Sequence, residues 1–456
     1  MKTDGGIMNR YCRMGKGRSL LGAALLLSGS LLQAEEISLK ASTKRENALY
    51  SSGEPIVFNV SVQEKSGKMV AGRKIDYLIE GDGGLKKSGS LTSADLPVEI
   101  TAKLDCPGFV RLTVSTDEGG RKQKTWAGAG VDVLKIRAAT PETPDFDAFW
   151  EKQLKELRSR RYRTTLRQIS DPGIMKGVAV YDTKLEDGAL GAGGFLILPP
   201  NPAKGAHPLV VTFNGASKIG AFYRSFDRMA ASYRAIVFNM NLHDTINQPT
   251  AAQVKKLRQS PEISNYMYRD ADDAATYRIR NIFLRVARCL DYLKTRPEWD
   301  GKTIIVRGGS LGGAQALAAA YFEPLTVLCV ANAPALSDHY GAERRQAAGW
   351  PGLFKYLSGR DAQELAAAKK TMRYFDSVNF ARRLKCPVTM SVGFIDPVCP
   401  PTTAYAVYNS LPMKEKSIKN VVLGLHGVSL KKGEKSVFSH GGSLVQQACR
   451  KSGQGK

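Results

Sequence analysis

Gly308-Gly309-Ser310-Leu311-Gly312 sets one serine among glycines, directly after the apolar run 303–306 and before an alanine-rich stretch. In a G-x-S-x-G turn from strand to helix, the serine hydroxyl is lifted above the sheet edge. Glycines are needed there because side chains would strike the neighbouring backbone. Such a hydroxyl is a nucleophile only when a base takes its proton, and the base needs a carboxylate to hold its tautomer. In an elbow of this kind the chain order is serine, acid, histidine. Five histidines are present. His426 follows the apolar run 421–425, which puts it at the carboxyl end of a strand; His440, in Ser439-His440-Gly441-Gly442, is its competitor. His207 opens a strand at the wrong edge, His243 precedes the nucleophile, and His339 precedes the acid. Asp396 ends the run 388–395 and is followed by Pro397, while Asp338, after the preceding strand, competes for the same role. The backbone N–H of Leu311, at a helix N-terminus, is placed to bind a developing oxyanion. A second donor is expected from Asn214-Gly215-Ala216-Ser217, with the N–H of Ala216 as the candidate.

The elements that must position these groups have their own rhythm. Apolar runs at 208–213, 235–238, 303–306, 325–331, 388–395 and 421–425 alternate with helical stretches such as 272–293 and 314–322. Buried strands alternating with helices mean a mostly parallel sheet with helices on both faces. Asp145 opens a helix carrying Phe146, Phe149, Trp150, Leu154 and Leu157 on one face. Before the linker Ala138-Ala139-Thr140-Pro141-Glu142-Thr143-Pro144 the period changes to two. Ile56, Phe58, Val60 and Val62 alternate with mostly polar neighbours, as do Val110, Leu112 and Val114. Turn residues separate these runs, and about five to seven short strands predict a small all-β immunoglobulin-like sandwich. The expected class is therefore α/β preceded by that sandwich, divided into 35–138 and 139–456. Nothing in the β region specifies a ligand, so it reads as a packing or spacer domain.

Composition bounds the rest. The chain has 456 residues, more than one core accommodates. Hydrophobic residues at 43% and charged residues at 24% exclude a disordered chain. Lys+Arg 66 against Asp+Glu 42 gives +24. No zinc-finger spacing, Walker loop or RNP-type aromatic run accompanies that charge, so no nucleic-acid partner is expected. Residues 1–34 read as a secretory leader. Arg10, Arg13, Lys16 and Arg18 precede the apolar stretch 20–32, and Ala34 is the expected cleavage residue. That stretch is too short to span a membrane, and the leader predicts a periplasmic or secreted protein. Cys12 lies in the leader. Cys106, Cys289, Cys329, Cys386, Cys399 and Cys449 are too sparse for a disulfide-built fold and are expected mainly as buried thiols. Their spacing suggests no structural metal.

The region 140–430 resembles the acetylxylan esterase / cephalosporin C deacetylase group of α/β-hydrolases. The resemblance rests on Pro144-Asp145-Phe146-Asp147-Ala148-Phe149-Trp150, on Arg307-Gly308-Gly309-Ser310-Leu311-Gly312-Gly313, and above all on Gly393-Phe394-Ile395-Asp396-Pro397-Val398-Cys399-Pro400-Pro401 with Ala404-Tyr405-Ala406-Val407-Tyr408-Asn409. It implies an α/β-hydrolase fold, with the acid on Asp396 and the base on His426. It further implies removal of acetyl groups from acetylated sugars, no metal or organic cofactor, and a homo-oligomer. Three positions depart from the group. Leu311 stands where it commonly has Gln, Asn214-Gly215-Ala216 where it usually has His-Gly-Tyr, and Gly427 where Glu usually follows the histidine. A backbone donor survives the first change, whereas loss of the aromatic ring opens the acyl pocket. The expected function is an exported serine esterase acting on acetylated oligo- or polysaccharides. The alternatives are a serine peptidase of the same fold and an inactive carbohydrate-binding protein.

Overall fold

The computed structural model describes residues 37–453 apart from Gly119 and Arg360. The leader expected at 1–34 lies outside the described residues. The first eight strands are β1 (Ile37–Thr43), β2 (Leu49–Tyr50), β3 (Pro55–Glu64), β4 (Lys74–Gly81), β5 (Lys86–Thr92), β6 (Val98–Lys103), β7 (Gly108–Glu118) and β8 (Arg121–Val131). They form two sheets, ordered β1-β3-β6 and β2-β8-β7-β4-β5. Period-two patterning is what lets them close on one another. Ile56, Phe58, Val60 and Val62 of β3 and Val110, Leu112 and Val114 of β7 are all buried in one shared apolar cluster.

The remaining strands are β9 (Arg163–Gln168), β10 (Ala179–Glu186), β11 (Gly191–Leu198), β12 (His207–Phe213), β13 (Ile236–Met240), β14 (Trp299–Gly309), β15 (Thr326–Asn332), β16 (Val388–Gly393) and β17 (Lys416–Val421). Among the described residues they make one sheet, ordered β17-β16-β15-β14-β12-β13-β11-β10-β9. From β17 to β13 the neighbours are parallel; β11, β10 and β9 add an antiparallel edge. Both faces are covered, and alternate residues show it. Leu209, Val211, Ile304 and Val306 pack with the helices Arg278–Leu293 and Leu311–Phe322. Val210 and Ile305 point the other way, against Ala230 of the helix Phe226–Tyr233 and Val445 of the helix Gly442–Gly453. A strand buried on both faces has no polar side, which is why these segments read as continuous apolar runs.

Three expected boundaries move. β16 stops at Gly393, short of the apolar run that ended at 395, and β17 (Lys416–Val421) precedes the run 421–425, sharing only Val421 with it. Phe394 N–H donates to the Val421 carbonyl and Ile395 N–H to that of Gly424, so the chain turns while its side chains stay buried. Apolar character there marks burial and not extension. The helix expected from 272 begins at Arg278, because the Asp273 carboxylate accepts from Ala275 N–H and holds a local turn instead.

The N-terminal strands brace the segment that carries Asp396. The Phe109 ring meets Phe394 edge-on at 5.0 Å. The Cα of Gly128 lies so close that a Cβ there would sit 2.7 Å from the Phe394 carbonyl oxygen. Buried Asp82, after β4, accepts from Phe109 N–H at 2.8 Å, from Ala347 N–H at 2.8 Å and from the Thr402 hydroxyl. Removing that carboxyl strands the buried Phe109 N–H and the half-buried Ala347 N–H, at about 1–3 kcal/mol each and less for the second. Asp82→Ala should therefore lower the unfolding free energy by about 2–4 kcal/mol, and Asp82→Asn by less, since it keeps one carbonyl oxygen. Urea midpoints of the three proteins check this; unchanged midpoints would show that Asp82 is not a brace.

Candidate active site

Ser310 sits between β14 and the helix Leu311–Phe322 with φ 59° and ψ −127°, a region that non-glycine residues rarely occupy. Four hydrogen bonds hold it there. Its N–H donates to the Asn332 carbonyl at 2.9 Å, and its own carbonyl accepts from Gly313 N–H at 2.8 Å, Ala335 N–H at 3.0 Å and Ala314 N–H at 3.2 Å. The turn closes because Gly308 and Gly312 lack side chains. A Cβ on Gly308 would lie 2.3 Å from the Gly312 oxygen, and one on Gly312 would lie 2.3 Å from the Phe213 oxygen.

His426 reaches this hydroxyl from a turn beyond β17, where Leu425 N–H donates to the Val428 carbonyl. Its Nε2 is 3.0 Å from Ser310 Oγ, and its Nδ1 is 2.8 Å from Asp396 Oδ2. The other Asp396 oxygen accepts from Val398 N–H at 2.8 Å and Cys399 N–H at 3.0 Å. With the carboxylate accepting at Nδ1, that nitrogen carries the proton and Nε2 is left as the acceptor facing the serine. The Asp396 side chain is fully buried, while that of His426 is partly exposed. The geometry joins the three residues that chain order, strand-end position and the resemblance had grouped.

The two segments expected to supply oxyanion donors both come close to Ser310. Leu311 opens the helix. The loop holding Ala216 is close enough that a Cβ on Gly215 would lie 3.5 Å from the Ser310 Cβ. Asn214 anchors the loop: its amide donates to Asn239 Oδ1 and to the Met240 carbonyl, and its own carbonyl accepts from Gln315 Nε2 at 3.1 Å. Neither Leu311 N–H nor Ala216 N–H donates to another group among the described residues.

The competing residues lie elsewhere. His440 Nε2 shares a hydrogen bond with Thr389 Oγ1 at 2.9 Å, and burial followed by Lys419 lowers its pKa. Asp338 Oδ1 accepts from Ala139 and Thr140 N–H, both at 2.7 Å, and so pins the linker. Burial, then the charge of Asp376, raises the Asp338 pKa to about 6. His339 Nδ1 pairs with Asp376 at 3.0 Å, and His207 Nδ1 with the Arg234 carbonyl.

Sequence reasoning missed two neighbours. The Phe438 ring packs edge-on to His426 at 5.1 Å, and nothing in the sequence near 438 signals it. The buried Cys399 thiol lies against Ser310. Burial and the Asp396 charge hold that thiol well above its usual range, so it is no thiolate rival to the serine. Its place was legible only as a cysteine three residues after the acid. All six described cysteines are free thiols, four of them buried, as expected.

Three comparisons bear on this arrangement. A family model described as acetyl xylan esterase (AXE1) matches residues 131–430. Acetyl esterase Axe7A of Xylanibacter ruminicola is 33% identical over 314 residues, covering 68% of this chain and 69% of that protein. Acetyl xylan esterase 1 from Thermoanaerobacterium sp. JW/SL YS485 superposes with a TM-score of 0.57 at 26% identity, over 70% of this chain and 97% of that one. An acetyl xylan esterase from Paenibacillus sp. R4 gives 0.56 at 25% identity, over 64% and 93%.

Two substitutions separate the site from its competitors. His440→Ala should leave ester hydrolysis within about twofold of wild type, whereas His426→Ala should lower it by about 10⁶, as loss of a comparable base does. Comparable losses in both would reopen the assignment. For Asp338 the sign follows from its raised pKa. Between about pH 4 and 6 the folded chain holds a proton that the unfolded chain has released, so this group's contribution to stability falls as pH rises. Asp338→Asn keeps the acceptor for both N–H groups and removes the titration. From pH 4 to pH 7 its stability should gain on wild type by up to about 3 kcal/mol, measured by urea unfolding at both pH values.

Proposed function

The chain belongs to the acetyl xylan esterase family, a carboxylic ester hydrolase, and on that premise we propose that it deacetylates carbohydrates through a Ser310–His426–Asp396 triad and an acyl-enzyme. The observation that carries this reading is the unbroken hydrogen-bond chain from Ser310 Oγ through His426 to Asp396, at 3.0 and 2.8 Å. Ser310 Oγ attacks the acetyl carbonyl carbon while His426 Nε2 takes its proton. The carbonyl oxygen becomes an oxyanion that accepts from Leu311 and Ala216 N–H. The tetrahedral adduct collapses, the sugar oxygen leaves with the proton from Nε2, and the acetyl group stays on Ser310. Water then repeats the sequence with Nε2 as base, which releases acetate and restores the serine. Asp396 remains ionised throughout. It holds the proton on Nδ1 and stabilises the imidazolium formed at each step.

The substrate in this reading is an acetylated oligo- or polysaccharide of the xylan type, supported by the family and by the relatives' activities. Export through a leader at 1–34, the division into an immunoglobulin-like region at 35–138 and a catalytic region at 139–456, and homo-oligomeric assembly belong to the same proposal. No helix among the described residues is long and apolar enough to cross a membrane.

Hydrolysis of p-nitrophenyl acetate, butyrate and octanoate by wild type and Ser310→Ala tests the reading. Acetate should be turned over fastest, Ser310→Ala should lose about 10⁶ in rate, and acetylated xylan should release acetate. Equal turnover in both proteins, or none in folded wild type, would sink it. A preference for octanoate would keep the serine and reject acetate selectivity, with the open loop at Ala216 as the cause.

A further inference from the structure

A second enclosed space lies one strand from the oxyanion loop, at the carboxyl edge of β13, the parallel neighbour of β12. It holds about 200 Å³, several times the roughly 30 Å³ that one water occupies in the liquid. Its wall comes from the turn before β11, the loop after β13, and one face of the helix Arg278–Leu293. Five side chains on it carry hydrogen-bond donors: His243, Tyr266, Arg278, Asn281 and Arg285.

Two buried polar groups of the wall are unmet. His243 is 5% exposed and Tyr266 3%, yet neither His243 Nε2 nor the Tyr266 hydroxyl has a hydrogen-bond partner among the described residues. Their rings meet edge-on at 4.7 Å, so each fixes the direction of the other. Arg285 Nε donates to the Gly191 carbonyl at 2.8 Å, and its two terminal nitrogens make no hydrogen bond among the described residues. Neither Arg278 nor Arg285 has an ion-pair partner among the described residues. Burial lowers the pKa of Arg285 to about 10, and burial with the two arginines lowers that of His243 to about 3, so the imidazole is neutral. Two acids also line the cavity, Asp244 and Glu262, both exposed residues; the Asp244 carboxylate lies against Gly191, and its charge opposes the effect of burial on Arg285. Two buried polar groups left unmet each cost free energy unless an occupant meets them. A planar group with two acceptor oxygens and a negative charge meets a guanidinium fork, a phenol and an imidazole together.

We propose that this cavity binds a carboxylate, carried either by an acidic sugar of the glycan or by a free small acid. Its link to glycan turnover rests on the esterase reading above, whereas the binding itself does not.

Isothermal titration of the whole protein with glucuronate, glucose and acetate tests it. Glucuronate should bind at least about tenfold more tightly than glucose, since glucose keeps the ring and lacks the charge. Arg285→Gln should weaken glucuronate by more than about tenfold. Tyr266→Phe, which removes one oxygen and keeps the ring packing, should weaken it by about fivefold. Turnover of p-nitrophenyl acetate should stay within about twofold in both variants. Acetate binding as tightly as glucuronate would assign the site to free acids, and weaker acetate would assign it to the sugar. Glucose binding equal to glucuronate, no binding, or binding unchanged in both variants would overturn the subsite. Wild type that binds glucuronate but does not hydrolyse p-nitrophenyl acetate would refute the esterase reading alone.

Discussion

The backbone of Ser310 is held where an L-residue resists going, and much of the catalytic edge is arranged to keep it there. Its positive φ is sustained by Asn332, Gly313 and Ala335, which belong to the end of β15, the following helix and the loop after β15. Gly308 and Gly312 let the Gly312 and Phe213 carbonyls approach within distances that any side chain would forbid. The strain is local, of order 1–3 kcal/mol, and persists because the surrounding structure over-determines it. In return the hydroxyl projects above the sheet, next to the first N–H of a helix. Relaxing the turn would move nucleophile and oxyanion donor together.

Asp396 is the second fixed point. One oxygen is held by Val398 and Cys399 N–H, and the other faces His426, so the carboxylate has little freedom to rotate. A buried carboxylate is tolerable only with such partners. Here they also aim it. Phe394, two residues earlier, is wedged against Phe109 of the N-terminal strands, and Asp82 ties those strands to Ala347 and Thr402. The β region therefore contributes to placing the acid, although it supplies no member of the triad. This contact gives the apparently bland region a physical role.

Much of this was legible in the residues. The elbow announces itself because sterics allow few residue types there, and both sheet faces being buried makes the central strands continuous apolar runs. Asp396 and His426 could be picked because the acid and the base must lie at strand ends after the nucleophile. Their supporting detail was less accessible. The run 388–395 overshoots its strand because Phe394 and Ile395 are buried in a turn, and hydrophobicity does not distinguish turn from strand under such cover; the run 421–425 meets its strand only at Val421, because β17 is an edge strand whose Lys416, Ser417, Lys419 and Asn420 break the apolar pattern. Asp338 and His440 could be dismissed only once Ala139, Thr140 and Thr389 were seen to occupy them. The cavity around His243 had no signal, since its wall is drawn from residues as far apart as 189 and 285 that only the fold assembles.

The bare Cα of Gly128 against the Phe394 carbonyl has a bearing on heredity and on engineering. A β-sandwich of similar size but with a side chain at that point could not dock without displacing the segment that leads into Asp396. The N-terminal region and the esterase are thus not freely exchangeable modules, despite the linker between them. Lineages that recombine such modules should inherit the two as a matched pair, and a grafted sandwich would have to present unadorned backbone at that one point to leave the acid in register.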